Sequence, residues 1–187
     1  MRSGLKALLL VAGILLSASA QTAPPDGKGG RPVLDQFNTG LADSSINGGT
    51  FQYAWQQGVT VGISGQLTRI DLYVRADATP ASTELSVSLG PPWQSGTPAW
   101  SAIVYLVPGW NTINLAKEKI FMQAGDEFVI GVHGQGPDGA SIFDSGINIS
   151  YGDRYPGGDL YLNGSLNSYV NDMMFRTYVK QSTTKGD

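Results

Sequence analysis

Hydrophobic and polar residues alternate with a period of two along most of the chain. In the segment Gln66–Arg75, the side chains of Ile70, Leu72 and Val74 share one face, and polar or charged side chains occupy the other. This alternation is typical of a β-strand that buries one face. The same pattern predicts strands in eight further segments: Val33–Phe37, Thr50–Val61, Glu84–Leu89, Ser101–Val107, Trp110–Leu115, Glu127–Val132, Asp159–Leu162 and Asp172–Lys180.

Short segments rich in Gly, Pro and Asn separate the predicted strands, and Gly and Asn adopt the positive φ angles that tight turns require. The stretch Asn114–Met122 has a helix-like composition, but the turn signals on both sides favour a strand, a loop and a second strand. Many short strands, each with one apolar face, predict an all-β fold, a single antiparallel β-sandwich of jelly-roll type. The predicted turns are Asn47–Gly49, Ser64–Gly65, Pro108–Gly109, Ala124–Asp126, Pro137–Gly139, Pro156–Gly158 and Asn163–Gly164.

The first twenty residues have the pattern of a secretory signal peptide. Arg2 and Lys6 precede ten apolar residues, Ala7–Leu16, and small residues follow at Ala18–Ala20. A membrane helix requires about 20 apolar residues, so an uncleaved anchor is the weaker alternative. We therefore expect a secreted or periplasmic protein with a signal peptide at 1–20, a flexible Pro/Gly-rich leader at 21–32, a β-sandwich domain at 33–180 and a disordered tail at 181–187.

Charge and residue usage exclude several function classes. Without Arg2 and Lys6, 10 basic residues remain against 15 acidic ones, a net charge of −5. No cluster of Lys and Arg occurs, which argues against binding to nucleic acid. The chain has no cysteine, so it forms no disulfide and has no thiol for catalysis or zinc binding. Its only histidine is His133, which excludes sites that need several histidines.

Three segments carry a resemblance to a known family. Ala54–Val74, Gly109–Val132 and Tyr155–Val179 resemble, in order, the opening hairpin, the middle and the end of a bacterial extracellular jelly-roll domain family. The resemblance spans Phe37 to Val179. It implies a fold similar to that of carbohydrate-binding modules and lectin-like accessory domains, in a family whose members are mostly uncharacterised.

Aromatic residues near turns are the first candidates for a binding site. Proteins bind sugars by stacking Trp or Tyr rings on the apolar face of the sugar and by directing amides and carboxylates at its hydroxyl groups. The alternative is that Trp55, Trp110 and Tyr161 are partly buried sandwich residues and that Trp93 covers a loop. The candidate ligand-binding residues are Trp93, Trp100, Tyr155, Asp159, Tyr161 and Asn163.

Several aspartates form a candidate calcium site. Calcium prefers carboxylate and carbonyl oxygens, and Asp35, Asp153, Asp159 and Asp172 could supply them, although no EF-hand spacing appears. The alternative is that these residues start turns by accepting hydrogen bonds from nearby backbone amides. A structural Ca²⁺ is thus the only cofactor that the sequence suggests.

The sequence offers little for catalysis. Glycoside hydrolysis needs two carboxylates about 5–9.5 Å apart, and Glu84 and Glu127, at two strand starts, are the only candidate pair. His133 has no nucleophile motif around it. The leading prediction is therefore a secreted, non-catalytic binding module for carbohydrate. The alternatives are a structural or cell-surface assembly protein that contacts other chains, and a glycoside hydrolase that uses Glu84 and Glu127.

Overall fold

The structure is a computed structural model that describes residues 30–40, 44–45, 54–92, 97–133, 148–167 and 171–181. All regular secondary structure in these ranges is β-strand, which confirms the predicted all-β class. The same ranges contain no helix that could cross a membrane. The strands are β1 Val33–Asn38, β2 Ser44–Ser45, β3 Ala54–Thr60, β4 Gly65–Val74, β5 Ala81–Leu89, β6 Trp100–Leu106, β7 Gly109–Asn114, β8 Ile120–Met122, β9 Glu127–His133, β10 Asn148–Tyr151, β11 Leu160–Leu162, β12 Ser165–Leu166, β13 Asn171–Met173 and β14 Phe175–Gln181.

Some predictions fall outside the described residues. These are the signal peptide, the leader up to residue 29, the tail from residue 182, and the turns at Asn47–Gly49 and Pro137–Gly139. The stretch Asn114–Met122 is a strand end, a loop and the short strand β8, as the turn signals predict. The sequence pattern did not indicate the short strands β2, β10 and β12.

Two large antiparallel sheets form the sandwich. The first sheet has the order β1-β14-β4-β7, with β8 also paired to β4, and the second has the order β12-β11-β3-β9-β5-β6. A small third sheet joins β13, β10 and β2. All strand pairs are antiparallel, so each large sheet can bury one face and expose the other.

The long strands pair in a nested order. β5 pairs with β6, β4 with β7, β3 with β9, and β1 with β14. The innermost pair is thus a local hairpin, and the outermost pair joins the two ends of the domain. The chain follows the path of one long hairpin that is wound across both sheets.

The core lies between the inner faces of the two large sheets. Leu72 and Phe175 contribute from the first sheet, and Phe128 and Ile130 contribute from the second; at most 1% of each is exposed. The alternation within β4 is as predicted, because Ile70 is also buried in this cluster. With no disulfide available, this apolar packing supplies the stabilisation of the fold.

Arginine and aromatic side chains cover the outer face of the first sheet. The guanidinium carbon of Arg69 lies 3.6 Å from the ring centre of Tyr178, and that of Arg176 lies 3.9 Å from the ring centre of Trp110. Asp71 is opposite Arg176 in the register but forms its ion pair with Arg69, at 2.9 Å. Stacking of this kind stabilises a solvent-facing sheet surface by about 0.5–1 kcal/mol per pair.

We expect Phe175→Ala to lower the free energy of unfolding by about 3–5 kcal/mol, because it leaves a cavity between the two sheets. Phe121→Ala is the matched control: this side chain is 61% exposed on β8, and we expect a change within about 0.5 kcal/mol. Urea unfolding of both variants measures the difference. Equal losses would contradict the placement of the core.

Candidate functional site

A cleft of about 390 Å³ lies between β3 and the segment that leads into β11. Three acidic side chains line it, one from β9 and two from this segment, and no described Lys, Arg or His does so. We call it the acidic cleft. Its lining residues are Gly58, Val59, Thr60, Pro92, Glu127, Asp153, Tyr155, Pro156, Gly157, Gly158, Asp159 and Tyr161.

The segment that leads into β11 comprises residues 153–159. Its second half, from Pro156 onward, continues the pairing of β11 with β3. The amide of Gly58 donates to the carbonyl oxygen of Asp159 at 2.9 Å, and the amide of Thr60 donates to that of Gly157 at 2.8 Å. Gly158 has a φ of +155°, and a Cβ there would collide with the carbonyl oxygen of Gly58. Glycine therefore allows the two backbones to approach closely enough to form one wall of the acidic cleft.

A buried amide and a buried carboxylate hold this segment in place. The Nε2 of Gln57 donates to Oδ1 of Asp172 at 3.1 Å, and its Oε1 accepts from the amide of Met173 at 2.7 Å. The other carboxylate oxygen of Asp172 accepts from the amides of Arg154 and Tyr155, both at 3.0 Å. Gln57 and Asp172 are 0% and 2% exposed, so these bonds form away from competing water.

Burial changes the titration of two of the predicted calcium ligands. Desolvation raises the pKa of Asp172 above 3.8, although its hydrogen bonds to Tyr155, Gln57 and Arg154 act in the opposite direction. Desolvation likewise raises the pKa of Asp35, which accepts from the amide of Gly62. A raised pKa in the folded state gives stability that is complete at low pH and is lost as the pH rises through that pKa.

The four aspartates proposed as calcium ligands serve separate purposes. Among the described residues, no group of three or more acidic or histidine side chains is placed to hold a metal ion. Asp35 and Asp172 direct their carboxylates at backbone amides, whereas Asp153 and Asp159 are exposed and line the acidic cleft. Of the four, Asp153 and Asp159 share the acidic cleft, and Asp35 and Asp172 do not line it.

Tyr155 belongs mainly to the core rather than to an exposed binding platform. It is 4% exposed, and its ring packs edge-on against Phe175 with 5.0 Å between ring centres. Its hydroxyl donates to Oε1 of Gln36 at 3.1 Å and lies 3.3 Å from the carbonyl oxygen of Thr60. Desolvation raises the pKa of this phenol well above its ordinary value of 10.0. Its ring face is therefore not open for stacking on a ligand.

Tyr161 is an aromatic residue that lines the acidic cleft. It lies opposite Gln56 on the outer face of the second sheet, because its neighbour Leu160 points into the core. Its pKa is raised, first by desolvation and then by the nearby carboxylates of Asp159 and Glu127. The ring is half-buried and adjoins the acidic side chains of Asp159 and Glu127.

Of the other three predicted binding residues, two lie elsewhere and one is outside the described residues. Trp100 is half-buried and packs against the core from β6, at the far edge of the second sheet. Asn163 has a φ of +52° and forms a two-residue turn with Gly164, and its Oδ1 accepts from the amide of Ala54 at 2.8 Å. Trp93 lies outside the described residues; in the sequence it directly follows Pro92, which lines the acidic cleft.

The two glutamates considered for catalysis are far apart. Glu84 lies opposite His133, six residues along β9 from Glu127, and at about 3.4 Å per residue this offset separates them by roughly 20 Å. That exceeds the about 5–9.5 Å needed by a pair of glycosidase carboxylates. Glu127 lies in the acidic cleft, whereas Glu84 does not line it.

Sequence reasoning missed Gln57, on which the geometry of the cleft depends. The strand alternation places Gln57 on the same face as Trp55 and Val59, both of which pack against the core. A lone amide on an apolar face requires buried partners. That signal could have identified Gln57 as the residue that binds another segment of the chain.

Comparison of the sequence with models of known protein families gives no match, and a search among curated proteins finds none with significant similarity.

We expect Gln57→Leu to lower the free energy of unfolding by about 1–3 kcal/mol, because it leaves the Met173 amide and one carboxylate oxygen of Asp172 buried without this partner. Gln123→Leu, at an exposed position, is the control, and we expect it to change stability by less than about 0.5 kcal/mol. Denaturant unfolding measures both. If the two variants are equally stable, the hydrogen bonds of Gln57 do not hold the segment.

Tyr155→Phe should make the protein less sensitive to alkaline pH. The raised pKa means that the phenol of Tyr155 favours the folded state below pH 10 and that this contribution is lost as the pH rises further. Phenylalanine lacks this titration, so the fall in stability above pH 10 becomes shallower. Thermal melting at several alkaline pH values measures the slope, with Tyr105→Phe, at a side chain that is 67% exposed, as the control. An unchanged slope would contradict the assignment.

Proposed function

We propose that this protein is a secreted, non-catalytic binding module that takes carbohydrate in the acidic cleft. The observation that carries the proposal is the position of Tyr161 beside the carboxylates of Glu127, Asp153 and Asp159. Carboxylates accept hydrogen bonds from sugar hydroxyl groups, and a tyrosine ring packs against the apolar face of a sugar. The volume of about 390 Å³ is within the range of small-ligand sites.

Because no basic side chain belongs to the described lining, the cleft should disfavour ligands that carry negative charge. A ligand with phosphate, sulfate or carboxylate groups would meet three like charges at Glu127, Asp153 and Asp159. Neutral saccharides and amino sugars meet no such repulsion. We therefore propose that the cleft selects uncharged or cationic sugars.

The nested strand order supports the jelly-roll type of sandwich. A jelly roll contains eight principal strands in two sheets, and the pairs β1–β14, β3–β9, β4–β7 and β5–β6 supply eight. This order agrees with the resemblance to bacterial extracellular jelly-roll domains over Phe37 to Val179. Because folds alone do not define ligands, the binding role depends on the cleft and not on this likeness.

Export supports the same role. The charged start, the apolar run Ala7–Leu16 and the small residues before Gln21 favour cleavage by a signal peptidase. An extracytoplasmic module without cysteine needs no oxidative folding to reach its binding form. We propose that the mature chain acts in the periplasm or outside the cell, where polysaccharides are the abundant ligands.

We expect Tyr161→Ala to weaken retention on the polysaccharide that binds the native protein by about tenfold, because a lost stacking contact of about 1.4 kcal/mol corresponds to that factor. Phe121→Ala removes an exposed aromatic from the other sheet and should leave binding unchanged. A glycan array followed by titration calorimetry supplies the measurement.

A second pair of variants tests the carboxylates. Glu127→Gln should weaken binding of the same saccharide, whereas Glu118→Gln, at an exposed glutamate outside the cleft, should not. Trp93→Ala tests whether the residue after Pro92 also contributes. Failure of the native protein to bind any neutral or amino polysaccharide would end the carbohydrate proposal, and so would full binding by both Tyr161→Ala and Glu127→Gln.

A further inference from the structure

Among the described strands, three of the four outer edges of the large sheets have features that hinder pairing with another strand. The register of β1 is interrupted between Leu34 and Phe37, with Asp35 inside the irregular region. The edge strand β12 is only two residues long. The edge formed by β7 and β8 is broken by a loop that carries the charges of Lys117–Lys119. Bulges, short strands and charges are the usual protections of sheet edges.

The fourth edge, β6, has none of these features. It is seven residues long, and its register with β5 runs without a break from Trp100 to Leu106. It contains no charged residue and no proline. Its outer face exposes Ile103 and Tyr105, which are 46% and 67% exposed. In the described part of the chain, no strand pairs with its other side.

We propose that β6 pairs antiparallel with β6 of a second copy of this chain, about a twofold axis. The two six-stranded sheets then form one sheet of twelve strands, the mode of recognition in which a strand is added to an exposed edge. This proposal is independent of the acidic cleft, which lies at the opposite side of the second sheet, beside β3 and β11.

A second copy is the occupant that the charges favour. The net charge of the chain is negative, so two copies repel each other over most of their surfaces. An uncharged segment brings two copies together without placing like charges in contact. A twofold interface uses the same patch on both partners, and the uncharged strand Trp100–Leu106 meets itself in reverse without an electrostatic penalty.

The side chains indicate a register centred on Val104. In this register, Ile103 of one copy lies opposite Tyr105 of the other, and the same pair occurs twice. Pairs of an aromatic and a β-branched side chain are among the favourable cross-strand combinations. Both residues stay on the outer face of the combined sheet, so the core faces of the two sandwiches remain buried.

In this register Ala102–Leu106 of one copy pairs with the same five residues of the other, so the edge contact is small. Stable interfaces commonly bury at least about 1,200 Å², and we expect this contact to bury less. The dimer is therefore reversible and forms as the concentration rises.

Sedimentation equilibrium of the full mature chain tests the proposal. We expect the average mass to rise with concentration towards that of a dimer. The double variant Ile103→Lys, Tyr105→Lys should raise the dissociation constant at least tenfold. The matched control Leu34→Lys, Phe121→Lys adds the same charge at exposed apolar positions on β1 and β8 and should leave the dissociation constant unchanged.

A mixture of oppositely charged variants distinguishes specific strand pairing from a general loss of nonspecific self-association. Ile103→Glu, Tyr105→Glu should be monomeric alone but should form a heterodimer with the double-lysine variant, because opposite charges then face each other across the edge. A native chain that stays monomeric at millimolar concentration would overturn the proposal. Equal weakening by the control variant, or no heterodimer in the mixture, would overturn it as well.

Discussion

The buried hydrogen bonds between Gln57 and Asp172 are the constraint on which the candidate site depends. One amide and one carboxylate join β3, the end of β13 and the segment before β11. Neither group can turn to water, so losing one bond leaves the other partner unsatisfied in the interior. The position of Asp159 and Tyr161 beside β3 follows from this link, because Asp172 holds the amides of Arg154 and Tyr155, which come shortly before them in the chain.

The charge of the site follows from strand register as much as from composition. Glu127 begins β9 opposite Thr60 of β3. Two residues earlier on β3, the amide of Gly58 donates a hydrogen bond to the backbone carbonyl oxygen of Asp159. Antiparallel pairing thus brings acids from distant parts of the sequence to one end of the second sheet. The same register carries Glu84 to the far end of the neighbouring strand. Glu84 and Glu127 therefore lie apart, because the adjacent strands β5 and β9 run in opposite directions.

The sequence predicts the fold well where one local rule decides the outcome. Alternation locates the long strands, and the Asn163–Gly164 turn has the positive φ angles that its residues favour. The site is less predictable because it depends on long-range partners. Tyr155 stands next to a turn, as a binding residue would, yet it is buried because Gln36 and Thr60 satisfy its hydroxyl. Short strands such as β10 have too few residues to show a period.

The nested pairing also sets the order in which the fold can be completed. Among the described strands β1 pairs with β14 alone, so this pairing waits until the last of them has been synthesised. Chains dominated by such distant pairings fold slowly, over milliseconds to seconds, because a long loop must close before any contact compensates for the lost entropy. The two sheets of a chain with this topology therefore close only when its final strand is available for pairing.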